Sequence, residues 1–153
     1  MTGSLETALR DARSAGRKLL VPYVTGGLRD DWTDVLAAMA AAGADAIEIG
    51  IPFSDPVMDG PTIQEASALA LSRGATPSSI LAGLARARRD VNVPLVAMTY
   101  YNLVFRAGHR RFAAELVRAG VSGAIIPDLP LEESGDWEAE AAAAGVETVL
   151  LAA

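Results

Sequence analysis

Short apolar runs alternate along the chain with longer segments in which apolar residues recur every third or fourth position. The short runs are rich in valine, isoleucine and leucine without polar alternation, a pattern typical of strands buried on both faces. They predict strands at residues 19–24, 46–51, 94–100, 123–126 and 146–151. The longer segments have the period of helices that pack on a sheet, and they predict helices at residues 4–15, 32–42, 63–72, 78–89, 111–119 and 137–144.

The order of these elements predicts a parallel sheet. Every strand is preceded by a helix, so the units are repeated right-handed βαβ connections and the fold class is α/β. Glycine follows alanine at residues 43, 120 and 145, where three helices must end in a left-handed residue before the next strand. Thr76 and Pro77 have the sequence of an N-cap and a first helical residue.

Two architectures fit five βα units: an open doubly wound sheet, or part of an eight-unit (β/α)8 TIM barrel. Periodicity does not separate them. A complete barrel needs about 250 residues, whereas this sequence has 153 residues and stops on the fifth predicted strand. If the chain is a barrel, we therefore expect residues 1–153 to form a single partial domain that contains strands 1–5.

The composition disfavours several classes of partner. The chain has 13 basic and 19 acidic residues and a net charge of −6, which argues against nucleic acids and anionic membranes. Cysteine is absent, so disulfides and thiolate metal sites are excluded, and we expect no metal. No apolar stretch reaches spanning length, and the first residues lack the apolar core of a signal peptide. We expect a soluble, cytoplasmic protein that binds small molecules or other proteins.

The second predicted strand places an acid inside an apolar run, in the stretch IEIGIPFSDPVMDGPTIQ at residues 47–64. Side chains alternate along a strand, so Glu48 shares one face with Ala46 and Gly50, and three isoleucines share the other. In a barrel, Glu48 would point into the interior at the carboxyl-terminal mouth. Burial there raises a carboxyl pKa towards neutrality, which suits acid–base catalysis. The alternative is a structural acid that pairs with a buried arginine or accepts backbone hydrogen bonds.

Two further acids follow on the loop after this strand, within the longest βα unit of the chain. In parallel α/β folds, ligands bind at the loops that follow the strands. Asp55 has a local explanation as the opener of an Asp-Pro turn, and Asp59 has one as the cap of the next helix. Their concentration on a proline-stiffened loop beside Glu48 favours a functional site instead. Two acids in different environments would hold different protonation states.

The same stretch resembles the signature of tryptophan synthase α subunits, in which an acidic residue and a glycine on strand 2 precede PFSDP and DGPTIQ. The resemblance extends over the whole chain through VPYVTGG, AGADAIEIG, MTYYNLVF and IIPDLPLEES. It implies a (β/α)8 TIM barrel with an extra N-terminal helix, here at residues 4–15, that closes the lower end. Members of the family cleave indole-3-glycerol phosphate into indole and glyceraldehyde 3-phosphate in tryptophan biosynthesis. They carry no cofactor and pass indole to a pyridoxal-phosphate-bearing β subunit in an alpha-beta-beta-alpha heterotetramer.

The resemblance also implies residue roles. Glu48 corresponds to the catalytic glutamate on strand 2 and would shuttle a proton. Asp59 corresponds to the loop aspartate and, ionised, would stabilise the charge that develops at the ring nitrogen. The positions that line the indole pocket are Tyr23, Tyr100 and Ile125. The positions that touch the β subunit are Asp55, Asn102 and Pro130. Rim packing, core filling and turn chemistry are the structural alternatives for these six positions.

One part of the family pattern lies outside this sequence, because its phosphate-binding loops and mobile lid follow later strands. Remote binding energy positions the reacting centre, so we expect a chain that ends at residue 153 to be poorly active alone and to expose apolar sheet edges. Two alternatives remain open. One is a stand-alone indole-releasing lyase without a β partner, and the other is a truncated, non-catalytic barrel fragment that only docks on the β subunit.

Overall fold

The computed structural model describes residues 5–151 of the chain. The strands are short: β1 (Tyr23–Thr25), β2 (Ile47–Gly50), β3 (Leu95–Met98), β4 (Gly123–Ile125) and β5 (Glu147–Val149). The helices of the described residues are α1 (Leu5–Ser14), α2 (Trp32–Ala41), α3 (Pro61–Ser72), α4 (Pro77–Ala87), α5 (Tyr101–Ala107), α6 (His109–Arg118) and α7 (Gly135–Ala144). A 3-10 turn at Leu131–Glu133 precedes α7.

The strands form one parallel sheet whose spatial order, β1-β2-β3-β4-β5, is the order of the chain. A doubly wound sheet reverses direction at a switch point, so its first strand lies inside the sheet. A barrel instead adds each strand beside the one before it. The alternative of an open doubly wound sheet is therefore wrong, and the fold is a run of five strands of a (β/α) barrel.

The two faces of β2 are occupied as the alternation predicts. The isoleucines at residues 47, 49 and 51 are buried in the main hydrophobic cluster, which also holds leucines of α2, α4 and α6. Ala46 lies on the opposite face, in a second cluster with Val96, Met98 and Ile125 of β3 and β4. This second cluster is the barrel interior. Glu48 shares the face of Ala46, so it faces the interior, as predicted.

Helix α1 closes the amino-terminal end of the sheet, as the resemblance implies. Leu5 is only 4% exposed and belongs to the interior cluster. Its Cδ2 lies 2.8 Å from the place where a Cβ on Gly123 would be, so the missing side chain of that glycine makes room for the helix. The Glu6 N–H donates to Oε2 of Glu147 at 2.7 Å. Ser4, the first residue of the predicted helix, lies outside the described residues.

The outer strands are shorter and less buried than predicted. Residues 19–22, predicted as strand, lie outside β1, and Leu20 is 59% exposed. The Leu20 N–H donates to Oδ2 of Asp45 at 2.8 Å, and Pro22 has no N–H. The carbonyl oxygens of Leu20 and Pro22 still accept from the N–H groups of Asp45 and Glu48 at 2.9 Å, so the segment lies beside β2 but forms only part of a ladder with it. β5 likewise ends at Val149 and not at residue 151, and most residues of both outer strands are half-buried, because the sheet continues on one side only.

Helix α5, at residues 101–107, is not predicted by periodicity. The predicted third strand runs to residue 100, but the ladder ends at Met98. The start of α5 is fixed from another loop, because the Tyr101 N–H donates to Oδ1 of Asp128 at 2.8 Å. Asp128 stands 27 positions further along the chain. A cap supplied at that separation leaves no local pattern.

The predicted helix punctuation is confirmed. The glycines at residues 43, 120 and 145 have φ angles of +99°, +75° and +84°, the left-handed region that ends a helix. Thr76 and Ser79 form a capping box at the start of α4, with Pro77 in the first turn. These local signals set the chain directions that bring each strand back into the sheet.

Candidate active site

Glu48 is the acid that the fold directs into the barrel interior. It pairs with Tyr23 of β1 and Val96 of β3 in the parallel ladder. Burial raises the pKa of its carboxyl, and the negative charge of Asp59 raises it further. Between residues 5 and 151, the carboxylate has no hydrogen-bond or ion-pair partner. The alternative of a structural acid held by an arginine or by backbone donors is therefore not what the described residues show.

Asp59 approaches the interior from the loop that joins β2 to α3. Its Oδ2 accepts a hydrogen bond of 3.0 Å from the Tyr100 hydroxyl. The alternative of a helix cap is wrong, because the N-cap of α3 is Gly60, without a side-chain cap bond, and Pro61 opens the helix. Instead, the backbone oxygen of Asp59 accepts from Nε2 of Gln64 at 2.9 Å. The Asp59 carboxylate is thus directed towards β3 and not along α3.

Tyr100 fixes the loop that carries Asp59. The side chain is 2% exposed, and burial is the main cause that raises its pKa to about 12. Its hydroxyl oxygen accepts from the Met58 N–H at 3.0 Å while the hydroxyl donates to Asp59. Its ring stacks on Phe53 with centroids 5.0 Å apart. The Tyr100 side chain therefore contacts the loop near its start, at Phe53, and near its end, at Met58 and Asp59.

The pKa values of Glu48 and Asp59 are shifted in the same direction, but the two carboxyls have different partners. Burial raises the pKa of Asp59 as it does that of Glu48, and the hydrogen bond from Tyr100 opposes this rise for Asp59. Glu48 has no such bond and feels the charge of Asp59. The hydrogen bond favours the ionised form of Asp59, while the charge of Asp59 favours the protonated form of Glu48.

Tyr23, Tyr100 and Ile125, the predicted pocket residues, lie on the interior face with Glu48. All three belong to or pack against the interior hydrophobic cluster, and Ile125 is 9% exposed. The Tyr23 hydroxyl accepts a hydrogen bond of 3.3 Å from Oγ1 of Thr25. Burial raises the pKa of Tyr23. The hydrogen bond from Thr25 opposes this rise, whereas the negative charges of Asp59 and Glu48 add to it. The two tyrosines thus lie in the barrel interior together with the acids Glu48 and Asp59.

Asp55, Asn102 and Pro130, the predicted partner residues, are exposed and lie apart from this cluster. They follow β2, β3 and β4, so they stand at the carboxyl-terminal edge of three neighbouring strands. The turn expected at Asp55 is present, because its backbone oxygen accepts from the Val57 N–H at 2.8 Å. Large exposed apolar side chains on the same loops, Val57 among them at 77% exposed, extend this edge.

Several residues that shape the site are not predicted from the sequence as site residues. Thr25 and Phe53 contact the predicted tyrosines, and Ser67 holds the loop, because its Oγ accepts from the Phe53 N–H at 3.2 Å. The contact of Thr25 could have been predicted from the sequence, because Thr25 follows Tyr23 by two positions on one strand and so shares its face. The contact of Ser67 could not have been predicted in this way, because Ser67 lies on a helix, 14 positions from its partner Phe53.

Two kinds of feature, a group of metal-ligating side chains and a membrane-spanning helix, are absent from the described residues. From residue 5 to residue 151, no three histidine, cysteine, aspartate or glutamate side chains are grouped as a metal site requires. Within the same residues, no helix is long and apolar enough to cross a membrane.

Comparison with known proteins gives a consistent result. Residues 9–153 match the sequence family described as "Tryptophan synthase alpha chain". The chain is 45% identical over 149 residues to the tryptophan synthase alpha chain of Nitratidesulfovibrio vulgaris strain DP4, covering 96% of this chain and 58% of that protein. It is 46% identical over 147 residues to the one of Halorhodospira halophila, covering 94% and 54%.

Solved structures agree with the sequence relatives. Tryptophan synthase subunit alpha from Legionella pneumophila matches with a TM-score of 0.88 and 33% identity, over 94% of this chain and 56% of that one. The M. tuberculosis tryptophan synthase in an open form with BRD0059 bound matches with a TM-score of 0.90 and 34% identity, over 99% and 61%. The chain thus spans little more than half the length of these relatives. The chain belongs to the tryptophan synthase alpha chain family.

Proposed function

We propose that this chain supplies the proton-transferring part of a lyase that cleaves indole-3-glycerol phosphate into indole and glyceraldehyde 3-phosphate in tryptophan biosynthesis. One observation carries the proposal. Glu48 faces the barrel interior without a described partner, in the field of an Asp59 carboxylate that Tyr100 holds. A half-buried acid with a raised pKa is suited both to give and to take a proton.

The retro-aldol step needs two proton movements, and Glu48 can perform both. In its protonated form it gives a proton to ring C3, which leaves positive charge at the ring nitrogen. Asp59 stabilises that charge through the ring N–H. The bond between C3 and the side chain then breaks, its electron pair neutralises the ring, and the adjacent hydroxyl becomes the aldehyde as its proton returns to Glu48. The acid is regenerated, and no electrons are gained or lost.

The same geometry supports a pocket for the indole ring. Tyr23, Tyr100 and Ile125 offer two aromatic faces and one aliphatic surface around the acids. No step requires an electron sink or a Lewis acid, so we propose that this chain uses no cofactor and no metal. Pyridoxal phosphate is then expected in a partner subunit only.

The proposed partner is a tryptophan synthase β subunit, in an alpha-beta-beta-alpha heterotetramer in the cytoplasm. The exposed positions Asp55, Asn102 and Pro130 stand on neighbouring loops at the site's mouth, which favours transfer of a product across that edge. A similar solved structure is a tryptophan synthase complex from Pyrococcus furiosus, with a TM-score of 0.81 and 41% identity over 88% of this chain and 56% of that one.

The test is product formation by the complete gene product, because the 153 residues span little more than half of the relatives' length. Incubation with indole-3-glycerol phosphate should give indole and glyceraldehyde 3-phosphate in equal amounts, and added β subunit should raise the rate. An unchanged rate would favour a stand-alone lyase. Binding of the β subunit without either product would favour the non-catalytic fragment and contradict the proposal.

A further inference from the structure

The Tyr23 side chain occupies the space that a side chain at residue 50 would fill. A Cβ built on Gly50 would lie 1.9 Å from the Tyr23 hydroxyl oxygen and 2.6 Å from its Cζ, closer than any real contact. Gly50 is therefore required for this position of the phenol. Tyr23 pairs with Glu48 in the ladder, and its hydroxyl reaches the level of Gly50, two residues further along β2. The phenol thus leans along β2 towards the mouth, on the face of the sheet that carries Glu48.

The Tyr23 hydroxyl accepts a hydrogen bond but donates none to the described residues. Oγ1 of Thr25, a residue that is 3% exposed, donates to the Tyr23 oxygen at 3.3 Å. A phenol both accepts and donates, and in the described part of the chain its own proton has no acceptor. The charges of Asp59 and Glu48 favour the neutral phenol, because they raise its pKa beside the larger effect of burial. Tyr23 therefore offers an O–H to whatever fills the interior.

We propose that Tyr23 is a substrate-binding donor, whose hydroxyl hydrogen-bonds the side-chain oxygen from which Glu48 removes a proton. This inference rests on the proposed function, and it names the substrate atom that the phenol contacts: the hydroxyl oxygen on the carbon attached to C3. The Tyr23 proton is not transferred. Its hydrogen bond orients the substrate hydroxyl towards the neighbouring Glu48 and stabilises negative charge on the oxygen as the O–H bond breaks.

This role differs from that of an aromatic wall. A wall needs only the ring, so Tyr23→Phe would preserve it. A donor needs the hydroxyl, the space above Gly50 and the bond from Thr25. Loss of one hydrogen bond to a substrate oxygen lowers affinity by about tenfold, whereas a ligand without that oxygen has nothing to lose.

The experiment measures equilibrium binding to the complete gene product with Glu48→Gln as background, because that variant should bind the substrate without cleaving it. Two ligands are compared: indole-3-glycerol phosphate, and a 3-alkylindole phosphate without hydroxyls. Adding Tyr23→Phe should weaken binding of the first ligand by about tenfold and leave the second unchanged. Thr25→Val should weaken binding of the first ligand less, because it removes only the bond that orients the phenol.

The inference would be overturned if Tyr23→Phe left the affinity for each ligand unchanged. It would also be overturned if Tyr23→Phe weakened the binding of both ligands by the same factor, because that result indicates an aromatic wall. Circular dichroism and the unfolding midpoint confirm that Tyr23→Phe folds. The proposed function is tested separately, by indole release in the protein without substitutions. If that protein releases indole but Tyr23→Phe binds both ligands normally, only the inference fails.

Discussion

The Tyr100 hydroxyl donates a 3.0 Å hydrogen bond to Oδ2 of Asp59, across 41 positions of sequence. The same oxygen accepts from the Met58 N–H, so two consecutive residues of the loop depend on one side chain of the next βα unit. Tyr100 thereby positions Asp59, in addition to the pocket wall that we propose it provides. A loop with exposed residues such as Val57 gains its fixed geometry from this buried anchor.

Substitution of Tyr100 by Phe should separate these two roles. The ring and its stacking on Phe53 remain, but both hydrogen bonds to the loop are lost. We expect kcat for indole release to fall by roughly tenfold or more, because Asp59 loses its fixed position. The free energy of unfolding should fall by only about 1–2 kcal/mol. Tyr101→Phe, which loses a bond to His109 outside the site, is the matched control and should keep its rate; an unchanged rate in Tyr100→Phe would contradict the positioning role.

The raised pKa of Glu48 predicts a pH-dependent effect on stability. Between the pKa of an unfolded glutamate, about 4.3, and the higher folded value, the folded state binds more protons than the unfolded state. Stability from this group therefore falls as the pH rises through that window. Glu48→Gln removes the effect, so the variant should be more stable than the parent at pH 7, and its advantage should shrink towards about pH 4.

Urea unfolding of both proteins across that range measures the difference. Asp59, whose pKa is also raised, remains in both proteins, so its own contribution largely cancels. A stability difference that does not vary with pH would show that Glu48 has an ordinary pKa.

The contact between Leu5 and Gly123 predicts non-additive substitutions at the closed end of the barrel. Leu5→Ala should lower the free energy of unfolding by about 2–4 kcal/mol, because it leaves a cavity in the interior. Gly123→Ala should destabilise by a steric clash, since its Cβ would lie 2.8 Å from Leu5. The double variant should lose less than the sum of the two. Strict additivity in urea unfolding would contradict the contact.

The cap that Asp128 provides predicts a coupling between two loops. Asp128→Ala should lower the free energy of unfolding by about 1 kcal/mol, because the Tyr101 N–H loses its acceptor. Hydrogen exchange should increase at the first turn of α5, which carries Asn102. Asp128→Asn keeps an oxygen acceptor and is the control. Equal exchange in the alanine and asparagine variants would mean that the cap does not stabilise α5.

The sequence predicts features that depend on local periodicity and composition. The inward direction of Glu48 follows from the alternation of a strand, and the helix ends follow from glycine. Pairings between distant segments are not predictable in this way. Helix α5 depends on Asp128, the start of β1 depends on Asp45 and Pro22, and the orientation of Asp59 depends on Tyr100. The cap interpretation of Asp59 failed because a tertiary partner replaced the local one.

In the proposed mechanism, Glu48 moves the protons of the cleavage reaction. The most direct test of this role is the rate of indole release by the complete gene product with Glu48→Gln, compared with the unsubstituted protein. Glu65→Gln, an exposed glutamate on α3, controls for the loss of a charge. Glu48→Gln should lower the rate by about a hundredfold or more, and the control should leave the rate unchanged. A folded Glu48→Gln variant that releases indole at the parent rate would contradict the role of Glu48.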